Sequence, residues 1–218
     1  TASIRSDLET LLNDDSMDEA TRRHFLERSY VQCQRMTNIL SDMSVLAKID
    51  GVQQLHEPMR IDVRDLLGGI AEDVRLALAD ANITFSADVS GVTLLGDRSL
   101  IYSIFRNLID NAINYARGVA DGVSIPADKA VSVKVTATQT SDGMVEFFVS
   151  DNGVGVPREH LSHLCERFYR IDKGRSRKLG GTGLGLAIVK NAVLLHGGEI
   201  DLMSTPGGGL TGSFTLPS

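Results

Sequence analysis

Cysteine is scarce in this 218-residue chain, with only Cys33 and Cys165, and they lie far apart. That excludes a disulfide framework, and no C-x-x-C spacing offers a structural metal. No apolar run approaches the roughly 18 residues of a membrane span, and no signal sequence opens the chain, so the expectation is a soluble protein. Basic residues are in the minority: the net charge is −6, which argues against a dedicated nucleic-acid binder. A local basic run, Lys173, Arg175, Arg177 and Lys178, breaks that trend. By itself it is as consistent with a solvated loop as with an anion site. The five histidines are scattered. Only His160 and His163 lie close together, and without a clustered partner they read as a polar helix face rather than a metal site.

Proline is absent from the first fifty residues, and their texture is helical. Ile4, Leu8, Leu11 and Leu12 predict a first helix ending near residues 13–15. Ser16, with Glu19 three residues on, predicts the capped start of a second. Met36, Ile39, Leu40, Met43, Leu46 and Ala47 then recur at three- and four-residue steps, a stripe as narrow as a coiled-coil seam. Two such helices cannot bury their stripe alone. A four-helix arrangement by dimerisation solves this, the alternative being a hairpin lying on the second domain. "GVQQLHEP" (51–58) reads as a linker, closed to helix by Pro58.

Beyond the linker the pattern is mixed. Residues 62–81 predict one amphipathic helix; 83–89 and 92–96 predict strands around a Ser90–Gly91 turn. Residues 98–116 predict a helix with an apolar face of Leu100, Ile101, Ile104, Phe105, Leu108 and Ile109. Strands are expected at 130–138 and 144–151, a helix at 182–198, and a last hairpin from 199–205 and 210–217. The fold class is α+β: a two-helix hairpin followed by an α/β sandwich.

Three features carry chemistry. Asn107 and Asn111, one turn apart, put two amides on one helix face, able to offer oxygen to a hard cation. An N-x-x-x-N pair fits a merely polar face equally well. "DNGVGVP" (151–157) follows a strand and sets Asp151, a hydrogen-bond acceptor, among Gly153 and Gly155. A plain strand-ending turn has the same composition. The stretch "GGTGLGLAIVK" (180–190) has four glycines among its first six residues and then runs into a helix. Neither G-x-x-x-x-G-K-[ST] nor G-x-G-x-x-G fits it, yet free N–H groups at a helix start attract anions.

In order, Asn107/Asn111, Asp151-x-Gly153-x-Gly155, "ERFYR" (166–170) and "GTGLGLAIVK" resemble the ATP-binding domain of sensor histidine kinases. In that family they are the N box, first glycine box, F box and second glycine box. "QRMTNILSDMSVLAKIDG" (34–51) is similar to the second helix of the family's dimerisation and phosphotransfer hairpin. The resemblance implies a hairpin at 1–50, a linker at 51–58 and a catalytic ATP-binding domain at 59–218. It implies that Asn111, with Asn107, holds magnesium; that Tyr115 lies against adenine; and that Asp151 binds its amino group, with Gly153 and Gly155 closing round the base. It implies that Phe168 and Arg170 of the F box face the nucleotide, and that 158–181 form a lid. Lys173, Gly181, Thr182, Gly183, Leu184 and Gly185 would then meet the phosphates, with Asn107 and Arg170 as the catalytic pair. The family commonly has lysine where Asn114 stands, and lid arginines or Lys173 are expected to compensate.

The implied reaction moves the γ-phosphate of ATP to a histidine and on to an aspartate of a response regulator. The implied setting is a cytoplasmic homodimer whose parent is anchored in the inner membrane. The family's H-E-x-x-T-P-like motif precedes a stretch resembling "TASIRSDLETLL". None of the five histidines takes its place, and His24 reads as a hairpin-face residue. The expectation is therefore ATP binding without self-phosphorylation. The competing readings are a degenerate kinase acting as a scaffold, and a gyrase-like or chaperone-like ATPase. The latter normally has an acid where Asn107 stands.

Overall fold

A computed structural model describes residues 2–14, 16–52, 55, 58–116, 119–120, 123–126, 129–171, 181–205 and 207–218. Helix α1 (Ala2–Asn13) turns into α2 (Glu19–Asp50). The cap of α2 is Asp18, not the expected Ser16: Asp18 Oδ1 accepts from Thr21 N at 2.9 Å. Ser16 Oγ instead donates to Asp14 Oδ1 at 2.6 Å. A carboxylate gains from the helix dipole as well as from the hydrogen bond, which a hydroxyl does not. The two helices are tied by Arg28 and the buried Asp7, 3.0 Å apart.

The apolar stripe of α2 has two fates. Its C-terminal end, Leu46 and Ile49, is buried against the rest of the molecule. Further back, Leu26, Tyr30, Leu40 and Met43 stay exposed, Tyr30 at 71% and Leu40 at 63%. One end of the hairpin therefore lies on the second unit, as the alternative reading expected, and the remaining apolar face of α2 is exposed. Of the expected linker, positions 53, 54, 56 and 57 lie outside the described residues.

Strand β1 (Met59–Asp62), which no local pattern announced, pairs antiparallel with β3 (Thr93–Gly96). The single helix expected over 62–81 is two, α3 (Val63–Asp73) and α4 (Arg75–Asp80), broken at Val74 with φ −100° and ψ 2°. Neither glycine nor proline marks that break. It accompanies burial of Val74 and Leu78 in the same core as Leu66, Leu67 and Ile70. Strand β2 (Ile83–Asp88) does not form a hairpin with β3 across Ser90–Gly91 but runs parallel to β6 (Val131–Gln139). The turn is there, with Val92 N donating to Val89 O at 3.2 Å, but its two arms join different sheets.

Helix α5 (Arg98–Tyr115) is followed by the short strands β4 (Val119–Ala120) and β5 (Val123–Ser124). Strands β6 and β7 (Met144–Asp151) form the expected antiparallel hairpin. After α6 (Arg158–Leu161) come α7 (Gly185–Leu195) and a last hairpin, β8 (Ile200–Thr205) and β9 (Gly209–Pro217). The main sheet has the order β2-β6-β7-β9-β8. Alternation in β6 and β7 turns Val131, Val133, Val135, Val145, Phe147 and Val149 to one face, which α5 covers with Ile101, Ile104, Phe105 and Leu108. Phe105, Phe147 and Phe214 meet there, with ring centroids 5.2–5.4 Å apart. Covering the sheet with α5 leaves the flank of that helix, with its asparagines, free to line a cleft.

Candidate functional site

That cleft is a cavity of about 800 Å³, bounded by α5, the loop after β7, residues 160–171, the turn into α7 and one face of α2. Asn107, Asn111, Tyr115, Asp151, Gly155, Arg170, Gly181, Thr182, Gly183 and Gly185 all line it. Residues expected from four separated motifs are thus brought together.

Asn107 Nδ2 donates to Ser103 O at 2.8 Å, which holds the side chain along its own helix. Its Oδ1 lies against the start of α7: a Cβ built on Gly185 would sit 2.5 Å from that oxygen. Close approach to Asn107, rather than open space for a ligand, is what this glycine serves. Asn111 Nδ2 is buried and has no hydrogen-bond partner among the described residues, an arrangement that costs free energy unless something else meets the amide. Turned the other way, the same amide presents its oxygen, the donor a hard cation takes. An amide oxygen is the ligand type that a magnesium ion takes.

Asp151 ends β7 with Oδ1 accepting from Gly153 N at 2.8 Å and Oδ2 from Leu210 N at 3.4 Å. Burial pushes its carboxyl above the usual carboxylate range, against those two backbone donors. Gly155 lines the cavity; Gly153 does not. A side chain at Gly153 would strike the backbone of Ala116, 2.4 Å away, at the point where Val154 N donates to Ala116 O at 2.9 Å. That glycine docks the loop on the end of α5.

Phe168 is 59% exposed, at φ +66°, and does not line the cavity. Its backbone N–H donates to Gly183 O at 2.7 Å, so the F box touches the glycine turn through main chain. Leu184 is fully buried against Leu46 and Ile188. Lys173, with the whole basic run, lies outside the described residues. Asn114 lines the cavity, as does Arg106, which is ion-paired with Asp110 at 2.8 Å. Helix α7 opens on Leu184 without a side-chain cap, its first turn directed at the cavity through Gly185. Among the described residues there is no group of three or more His, Cys, Asp or Glu able to hold a metal. His160 and His163 are engaged with Tyr169 and Glu166, each at 2.7 Å.

Sequence reasoning did not find the wall made by α2. Asn38, Ser41 and Asp42 line the cavity, and Asp42 Oδ2 accepts from Thr182 Oγ1 at 2.6 Å. Burial pushes the Asp42 carboxyl up, while the threonine hydroxyl pulls it back. Its only signal in sequence is a polar residue beside an apolar stripe, which ordinary helix surfaces also show. On the far side of α7, His196 is buried, with Nε2 accepting from Asp97 N at 3.1 Å and Nδ1 against Ala192 O at 2.7 Å.

Burial pushes the His196 imidazole below its ordinary value, outweighing Ala192 O and the charge of Asp97. A second ring proton would face the Asp97 N–H. As pH falls, the unfolded chain therefore takes up this proton first. Its contribution to stability is complete above about pH 6.5 and declines below it, by at most about 1.4 kcal/mol per unit. The urea midpoint should fall from about pH 7.5 to about pH 5.5, and less so in His196→Gln. A flat wild-type profile would contradict the neutral ring.

Residues 96–218 match the family described as histidine kinase-, DNA gyrase B-, and HSP90-like ATPase. Over 201 residues the chain is 33% identical to the sensor-like histidine kinase SenX3 of Mycolicibacterium smegmatis, covering 92% of this chain and 49% of that protein. Over 207 residues it is 34% identical to the phosphate regulon sensor protein PhoR of Pseudomonas aeruginosa, covering 94% and 44%. The chain spans about half the length of the curated relatives it matches. The solved histidine kinase AdeS of Acinetobacter baumannii superposes on 99% of this chain and 93% of its own, with a TM-score of 0.74 at 18% identity. That likeness is one of fold.

Proposed function

The chain belongs to the histidine kinase-, DNA gyrase B- and HSP90-like ATPase family, as the catalytic region of a sensor histidine kinase, and we propose that it binds ATP with magnesium in the α5–α7 cleft and donates the γ-phosphate to a histidine for relay to a response-regulator aspartate. The observation that carries this reading is the buried amide nitrogen of Asn111, without a partner among the described residues, in a cavity shared with Asp151 and the start of α7. Asp151 accepts a hydrogen bond from the adenine amino group, and Tyr115 lies against the ring. The N–H groups opening α7, with Thr182 and Arg170, take the phosphates. Magnesium held by Asn111, with Asn107 beside it, would neutralise charge on the phosphate oxygens.

The protein's part is positioning and charge neutralisation. Asn107 is an amide tied to Ser103 O and cannot serve as a base for water, which favours phosphotransfer over the hydrolysis run by other branches of the family. In this reading the acceptor is a histidine that this chain does not supply. Of the five histidines, His160, His163 and His196 are hydrogen-bonded within the ATP-binding unit, His24 stands exposed on α2 beside Phe25, and His56 lies outside the described residues. The setting is the cytoplasmic side of a membrane-anchored parent; among the described residues no helix is long and apolar enough to cross a membrane.

Calorimetry is expected to show micromolar-to-millimolar ATP binding that is lost when a chelator removes magnesium. Absence of heat with both ligands present would end the reading. The open face of Leu26, Tyr30, Leu40 and Met43 is read as the homodimer seam. Sedimentation should then show a dimer, and Tyr30→Glu should shift it to monomer by placing a charge in an apolar contact. A wild-type monomer at high concentration would rule the seam out.

A further inference from the structure

The hairpin is not a bystander to the cleft. Thr182 has one hydroxyl proton, and it is spent on Asp42 of α2, 2.6 Å away, while the same oxygen accepts from Leu184 N at 3.1 Å. Around this bond α2 grips both arms of the turn. Leu46 packs on Leu184 and Ile188, and Asp50 takes two hydrogen bonds from Arg167 at 2.8 Å each. Lys48 reaches Asp97 at 2.8 Å. A phosphate that uses the Thr182 hydroxyl needs the same proton and would stand beside a carboxylate. Both cannot be satisfied at once.

We propose that Asp42, a residue of the hairpin, is a specificity-determining part of the phosphate end of the cleft, and that its bond to Thr182 makes hairpin docking and polyphosphate binding mutually antagonistic. The inference rests on the nucleotide reading above. Docked, the hairpin admits an uncharged nucleoside and resists a polyanion. Phosphate arriving at Thr182 expels Asp42 and loosens the grip of residues 42–50. Because coupling is reciprocal, whatever frees α2 tightens binding of the triphosphate to the same degree.

The test uses the full chain and two probes, ATP with magnesium and adenosine, by calorimetry on wild type, Asp42→Asn and Asp42→Ser. Asparagine keeps the shape and an acceptor for Thr182 but removes the charge. ATP should bind about tenfold more tightly to both variants, while adenosine affinity stays unchanged. Hydrogen exchange at residues 42–50 should rise on ATP saturation in wild type and change less in Asp42→Asn. Equal ATP affinity in wild type and both variants, with adenosine still bound, would overturn the antagonism and leave the nucleotide reading standing. A parallel gain for adenosine would also overturn it, since the effect would then not concern phosphate. If neither probe binds any of the three proteins, the nucleotide reading itself falls and takes this inference with it.

Discussion

Asn111→Ala is expected to lower magnesium-dependent ATP affinity on the order of 100-fold while leaving the protein as stable as before, or more so. The two halves of that result come from one side chain. Asn111 Nδ2 is buried without a partner among the described residues, and such a group costs about 1–3 kcal/mol in the unliganded fold. Truncation removes the penalty along with the ligand. A residue whose role is structural behaves in the opposite way, because cutting it back destabilises the fold. Calorimetry and urea unfolding on the same sample separate these cases. Unchanged ATP binding, or a lowered urea midpoint, would remove Asn111 from the site. Asn111→Asp retains an oxygen donor and should keep more of the magnesium-dependent affinity than alanine does.

Gly183→Val should also damage binding, for a backbone reason. Gly183 lies at φ +75°, and a Cβ there would come within 3.0 Å of the Phe168 Cα and carbonyl carbon and 3.2 Å of Arg170 Cγ. A β-branched residue in the left-handed region costs about 1–3 kcal/mol and is relieved only by moving the turn. That movement pulls Gly183 O from Phe168 N and shifts Thr182 and Arg170 within the cavity. ATP affinity is expected to fall about 30-fold or more, with a melting temperature lower by several degrees. The core of the sheet lies elsewhere, so far-ultraviolet circular dichroism should match wild type. Native-like ATP affinity in this variant would show that the turn tolerates left-handed valine and does not position the phosphates.

Much of this architecture is legible in local pattern. The apolar faces of α5 and α7, and the alternation in β6, β7, β8 and β9, are periodicities that survive folding because each element buries one face. The glycine spacing of 180–185 is legible too, but its cause is not. Gly185 is required by Asn107 Oδ1, seventy-eight residues earlier, and Gly183 by the backbone of Phe168. The parallel pairing of β2 with β6 and the separation of β2 from β3 left no local trace. A strand's partner is chosen by distant surfaces, and the Ser90–Gly91 turn is compatible with either outcome. The break at Val74 and the four-residue β1 are likewise set by what they pack against.

The sequence alone determined the two hairpin helices, α5, α7 and strands β6 to β9, and it marked residues that gather at the cleft, because periodicity and turn chemistry act over a few residues. It also determined the open apolar stripe of α2. Only the tertiary structure decided where the hairpin rests, and with it that Asp42 stands at Thr182 and Leu46 on Leu184. Those contacts join residues some 140 positions apart, and contacts of that range depend on how whole surfaces fit.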